Sequence, residues 1–179
     1  MNKLLLVFFL FSQLATQAQE GLIPTNEKSG QAEIIEVVTV NAGTPAELNE
    51  RAVEWIKSFY PNPHGVIKSN DSTSYEIKGK ARFRLTWTDK KGNVTPSGFV
   101  VYSFTLQFKE GKFRYVIDRI HWKQASYFDI SRWENKEEGQ YDEEMWPLFI
   151  EQTMNYFNNM TDSLVEAVST PIEEESTDW

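Results

Sequence analysis

The sequence predicts an α+β domain in the order strand, helix, four antiparallel strands, helix. Three observations carry that expectation. From Tyr75 to Trp122 apolar and polar residues alternate almost without a break, the two-residue period of strands with one buried face. Before that stretch, Leu48, Ala52, Trp55, Ile56 and Phe59 share one helical stripe, and after it Met145, Leu148, Phe149, Gln152, Tyr156, Met160, Leu164 and Val168 share another. The chain has 179 residues, 40% of them hydrophobic and 14% aromatic, enough to bury one core but hardly two. A single domain is expected over residues 32–168.

Residues 1–18 are expected to be a signal peptide. Lys3 supplies a positive start, Leu4 to Phe11 a continuous apolar run, and Thr16-Gln17-Ala18 ends on a small residue suited to cleavage. A spanning helix needs about 20 apolar residues, and Ser12, Gln13 and Thr16 interrupt this run early. The protein is therefore expected to be exported, periplasmic or extracellular, with no membrane span after cleavage. It contains no cysteine, which excludes a disulfide framework, a thiol nucleophile and a thiolate-held metal. Residues 19–31 are polar and contain Pro24 and Gly30, so they read as a flexible leader.

Ile34 to Val40 is dense in Ile and Val and reads as a strand buried on both faces or nearly so. In Thr44-Pro45-Ala46-Glu47, Thr44 can cap the first turn, Pro45 takes the first helical position and Glu47 reaches back, so a helix starts there. Its polar side carries Glu47, Glu50, Arg51, Glu54 and Lys57, and Pro61 and Pro63 end it. A short strand over Val66 to Lys68 turns at Asn70-Asp71-Ser72 into a long strand from Thr73 to Thr88. Gly79 interrupts that strand as a bulge or bend. The next turn, Asp89 to Asn93, is expected to extend through Pro96 to Gly98.

The last two strands meet at Lys109-Glu110-Gly111-Lys112, a tight hairpin that sets the register. With Glu110 and Gly111 as loop residues, Phe108 faces Phe113, Leu106 faces Tyr115, Phe104 faces Ile117 and Tyr102 faces Arg119 on the inner side. The same arithmetic puts Gln107 with Arg114, Thr105 with Val116, Ser103 with Asp118, Val101 with Ile120 and Phe99 with Trp122 on the outer side. Residues 124–141 read as a polar loop. A second helix begins near Asp142, covers about 143–168, and is broken by Pro171; residues 169–179 form an acidic tail.

The formal net charge is −8, which argues against nucleic acid as a partner. The charge is unevenly spread: Glu137 to Trp179 holds twelve acidic residues and no Lys or Arg, so a mildly basic domain precedes an acidic end.

Ala52-Val53-Glu54-Trp55, Ile77-Lys78-Gly79-Lys80-Ala81, and Tyr102-Ser103-Phe104-Thr105-Leu106 leading through the hairpin to Phe113-Arg114-Tyr115 resemble a secreted bacterial domain of unknown function, the 4468 family, with a TATA-binding-protein-like (TBP-like) fold. The resemblance covers about residues 32–124. It implies export and a curved antiparallel sheet with helices on one face. It implies no established activity and brings no catalytic residues. The DNA binding of the fold's namesake does not follow, since fold does not fix function.

No catalytic residues, metal site or cofactor are expected. His64 and His121 are the only histidines and neither has a second ligand at metal spacing. Parity puts Asp118 and His121 on opposite faces of their strand, which separates them as an acid/base pair. The sharper feature is a positive stripe: Lys78, Lys80, Arg82 and Arg84 all point away from Phe83 and Leu85. The candidate binding residues are Lys80, Arg82, Arg84 and Arg114 with Ile120 and Trp122 beside them, a surface suited to an anionic or glycan-like ligand. An ordinary solvated sheet face is the plain alternative, and a third is that the acidic C-terminal region covers the stripe. The expected function is a non-catalytic module binding an envelope component, glycan or partner protein. The alternative is a small periplasmic enzyme with a site between sheet and helices, using Tyr102, Arg119 or His121.

Overall fold

The computed structural model describes residues 22–124, 127–139 and 141–171; the expected signal peptide and the acidic tail from residue 172 lie outside the described residues. The strands are β1 (Ile34–Thr39), β2 (Ile67–Asp71), β3 (Glu76–Thr88), β4 (Val94–Lys109), β5 (Lys112–Lys123) and β6 (Tyr127–Asp129). They form one antiparallel sheet in the order β1-β5-β4-β3-β2, with β6 paired to β5. Helices α1 (Pro45–Phe59) and α3 (Met145–Ser169) pack together on one face, and a four-residue helix α2 (Pro63–Val66) leads into β2. The expected α+β order is found.

Helix α1 begins as its sequence dictates. The Thr44 hydroxyl accepts from the Glu47 amide, the Glu47 carboxylate accepts from the Thr44 amide, and Pro45 opens the first turn. The bonds that the Glu47 carboxylate accepts from the Thr44 amide and hydroxyl hold it below its ordinary range. Leu48, Ala52, Trp55 and Ile56 are buried as the stripe predicts, but so is Arg51. Its guanidinium donates to the carbonyls of Ala42 (3.3 Å) and Val168 (3.1 Å). Val168 is in the last turn of α3, where carbonyls lack helical partners and the helix dipole favours a cation. Arg51 therefore ties the start of one helix to the end of the other. Arg51→Ala is expected to lower stability by about 2 kcal/mol, read as a shift in the urea unfolding midpoint; an unchanged midpoint would refute the capping role.

Six expectations need correction. Strand β1 is not buried on both faces: it is an edge strand paired only with β5, and Ile35 and Val37 are 49% and 59% exposed. The leader is anchored at one point, because Ile23 sits in the core and the Leu22 and Ile23 amides donate to the Glu134 carboxylate, while Leu22 and most of residues 24–31 stay exposed. Pro96 to Gly98 belong to β4, not to a loop. Residues after Lys123 are not merely polar loop, since Phe128, Ile130 and Trp133 of β6 and the following 3-10 turn (Ile130–Glu134) are buried. On α3 the buried stripe runs through Trp146, Phe149, Ile150, Thr153, Phe157 and Met160, turned slightly from the expected one so that Leu148, Gln152 and Tyr156 lie at its margin.

The sixth correction concerns register. From the hairpin to Ser103 the pairs are as expected, with Phe108 opposite Phe113, Leu106 opposite Tyr115 and Phe104 opposite Ile117. Then the register shifts: Ser103 opposes Asp118 but Val101 opposes His121. Arg119 has φ +51°, so an extra residue on β5 takes up a left-handed conformation and makes a β-bulge. Because side-chain direction alternates every residue, one extra residue reverses the faces of everything beyond it. Tyr102 therefore does not pair with Arg119. Ile120 and Trp122 point into the core, while His121 and Lys123 point out.

Candidate functional site

The bulge decides which side chains the outer face can offer. Of the six candidate binding residues, Ile120 (1% exposed) and Trp122 (9%) are core residues. The Trp122 indole donates to the Ser97 carbonyl at 2.8 Å and its ring packs against Trp133, Phe149 and Phe128. Lys80, Arg82, Arg84 and Arg114 are exposed on the outer face. The structure separates even these. Lys80 and Arg82 line a groove of about 640 Å3, Arg84 stands beside it over the Phe99 ring, and Arg114 belongs to a second cleft of about 330 Å3 at the hairpin end with Val37, Lys109 and Lys112.

The larger groove runs from the α1–α2 junction, at Asn62 and Gly65, across β3, β4 and β5 to Tyr127 of β6. It exists because β2 is short. That strand pairs only with Glu76 to Gly79, and α2 takes its place beside Lys80 and Arg82. The groove contains three cations, Lys80, Arg82 and Lys123, and no carboxylate. Among the described residues none of the three makes an ion pair, whereas Lys78 is neutralised by Glu76 at 2.7 Å. Two rings complete it. Arg82 lies 4.7 Å from the centroid of Phe99, and Lys123 lies 5.2 Å from that of Tyr127, which is 58% exposed. These contacts hold long cationic side chains against apolar surface while their heads stay in water.

Lys123, Phe99 and Tyr127 were not among the expected binding residues. Phe99 was legible as an outer-face residue by alternation. Lys123 follows Trp122, which the same alternation turns outward, and no residue type before it announces the bulge.

The expected separation of Asp118 and His121 is also corrected, since both lie on the outer face once the bulge is counted. Asp118 is engaged by Arg119 at 3.4 Å, and His121 Nδ1 lies 2.7 Å from the Arg119 carbonyl oxygen. The three residues named for an enzyme are not brought together. Arg119 is exposed and His121 faces outward, while the Tyr102 hydroxyl is sealed under the helices between those of Tyr60 and Tyr156, 2.9 Å from each. Among the described residues no group of three or more His, Asp or Glu is placed to hold a metal ion, and no helix is long and apolar enough to cross a membrane. Helix α3 with its exposed Glu151, Asp162 and Glu166 packs on the face opposite the basic stripe, so this part of the acidic C-terminal region does not cover it.

A six-stranded antiparallel sheet with helices on one face and an open, cationic opposite face defines an α+β protein of TBP-like fold. Residues 35–123 match the family described as "Domain of unknown function (DUF4468) with TBP-like fold". The chain belongs to that family through this segment. Among solved structures it is similar to a DUF4468 family protein from Bacteroides ovatus, at 13% identity and a TM-score of 0.67, covering 87% of this chain and 95% of that one. It is also similar to a TBP-like protein from Parabacteroides distasonis, at 10% identity and a TM-score of 0.66, covering 85% of this chain and 100% of that one. No curated protein sequence matches. Likeness at these identities concerns the fold alone.

Proposed function

We propose that this protein is an exported, non-catalytic binding module whose outer sheet face holds an anionic ligand, either an acidic glycan or the acidic surface of another envelope component. One observation carries the reading: in a chain of net charge −8, a groove of about 640 Å3 collects Lys80, Arg82 and Lys123 without a single carboxylate. Unpaired like charges in one concavity repel each other and are favourable only when an anion enters. Arg82 offers a planar donor fork for a carboxylate, sulfate or phosphate. The exposed Tyr127 ring offers an apolar platform beside it. Export rests on the N-terminal sequence pattern, and the outer face is the side that the helices leave open.

The test is a thermal-shift and titration panel of acidic and neutral glycans against the unaltered protein and the variants Arg82→Glu and Lys123→Glu. An acidic ligand is expected to raise Tm, and each charge reversal to weaken its binding at least tenfold, in line with about 1.5 kcal/mol or more for a charge-assisted hydrogen bond. Binding that persists unchanged in both variants would refute the groove as the site.

A further inference from the structure

We propose that the free edge of β1 pairs with the same edge of a second copy of this chain, antiparallel about a two-fold axis through Val37. The argument starts from which backbone groups are unused. Strand β5 follows a two-residue hairpin loop, with Lys109 opposite Lys112. In such a hairpin the closing pair is hydrogen-bonded and bonding then alternates, so Lys112, Arg114 and Val116 bond to β4 while Phe113, Tyr115 and Ile117 bond to β1. Their β1 partners are Val38, Glu36 and Ile34. The bond from the Val40 amide to the Gly111 carbonyl, 2.9 Å, has the same parity. The amides and carbonyls of Ile35, Val37 and Thr39 therefore face away from the sheet.

The other edges are guarded. Strand β2 carries Lys68 at a register shift, and β6 has only three residues. The open edge of β3 is met at Thr86 by the Gln152 side-chain amide, which accepts from the Thr86 amide at 3.1 Å and donates to its carbonyl at 2.9 Å. Lysine, short length, irregularity and a covering side chain are the usual defences against edge pairing. Among the described residues β1 has none of them: it is regular, free of Lys, Arg and Pro, and exposes Ile35 and Val37.

Self-pairing also satisfies the sequence of the strand. With Val37 opposite Val37, Ile35 meets Thr39 on the outer side, giving about six hydrogen bonds by ladder alternation. On the inner side Glu36 meets Val38 of the second copy and not another Glu36, which avoids direct opposition of like charges. The Arg114 side chains of the two copies are three strand spacings apart, about 14 Å, beyond the Debye length of about 8 Å at physiological salt. The two Glu36 side chains stand diagonally across the axis, about 7 to 8 Å apart, close enough to repel at physiological salt. Association is therefore expected to strengthen as salt is raised. The interface is short, so it belongs among weak, concentration-dependent contacts.

Sedimentation velocity of the full chain over a concentration series tests this, with Val37→Lys as the disrupting variant and Val94→Lys, at another exposed apolar residue, as the control. The expected result is a rise toward twice the monomer mass that Val37→Lys abolishes and Val94→Lys preserves. Hydrogen exchange is expected to slow with concentration at the amides of Ile35, Val37 and Thr39 and to stay unchanged at Glu36 and Val38. A monomer at every concentration, equal loss in both variants, or exchange insensitive to concentration at Val37 would overturn the proposal.

Discussion

Above about pH 10 the protein is expected to lose stability at roughly 4 kcal/mol per pH unit and to unfold within two to three units. The cause is a set of buried phenols. The Tyr102 hydroxyl lies 2.9 Å from the hydroxyls of both Tyr60 and Tyr156, and the Met160 sulfur is 3.3 Å from Tyr60 and Tyr102. Burial pushes the Tyr60 and Tyr102 phenols far above their ordinary range, with the neighbouring phenols adding to the shift of Tyr102. Tyr115 is raised as well, by burial first and then by its hydrogen bond to Glu36 and that carboxylate's charge. A phenol whose folded pKa is raised keeps its proton in the native state while the unfolded chain releases it above about 10. The unfolded state then binds fewer protons, so stability is level below pH 10 and falls above it. Tyr156 is raised too, by burial; the three most strongly raised groups, Tyr60, Tyr102 and Tyr115, each worth about 1.4 kcal/mol per pH unit, set the slope. Urea unfolding between pH 8 and 11.5 measures it. Tyr102→Phe is expected to flatten the slope by one group's share while costing about 1 to 3 kcal/mol at neutral pH, because the Tyr60 and Tyr156 hydroxyls lose a partner. A stability curve that stays level through pH 11 would remove the argument.

The second large effect is expected from adding one methyl group. A Cβ at Gly79 would stand 2.1 Å from the Phe104 ring carbon Cζ and under 3 Å from two others. Phe104 pairs with Gly79 across β3 and β4 and stacks its ring on Tyr60. Neither side of this contact can give way: the strand is held between β2 and β4, and the ring is buried under α1. Gly79→Ala is therefore expected to cost about 3 kcal/mol, at the upper end for overpacking. Phe104→Leu vacates the ring position, so Gly79→Ala in that background is expected to cost at least 1 kcal/mol less. A double-mutant cycle by denaturant unfolding separates the two. Strict additivity would mean that Gly79 serves only backbone bending.

Gly79 also shows how far sequence reasoning reached. It was legible as an irregularity, but β3 runs through Gly79 in unbroken register with β4, and the extra residue at this point, Lys68, is on β2. The role of Gly79, making room for a ring on the next strand, depends on a contact 25 residues away that no local pattern states. The same division holds elsewhere. Capping chemistry at Thr44 and Glu47 is local and was legible to the residue, as was the hairpin at Glu110 and Gly111. Alternation placed Lys80, Arg82 and Arg84 on the outer face correctly. It failed after Asp118, because a bulge at Arg119 carries no glycine or proline to announce it, and every assignment beyond depended on an unbroken count. Arg51 was misplaced for another reason: a charged residue on a helix reads as solvated, and the carbonyls it satisfies belong to the far end of α3.

The placement of charge in the two layers has a consequence for encounter kinetics. Exposed Glu47, Glu50, Glu54, Glu151, Asp162 and Glu166 lie on the helices, and Lys80, Arg82, Arg84, Arg114 and Lys123 lie on the opposite side of the sheet. Among the described residues the charges thus form an electric dipole directed through the two layers, with the positive pole at the groove. In the field of an anionic surface such a body rotates before it touches, and arrives sheet first despite its overall negative charge. Salt is expected to slow that approach.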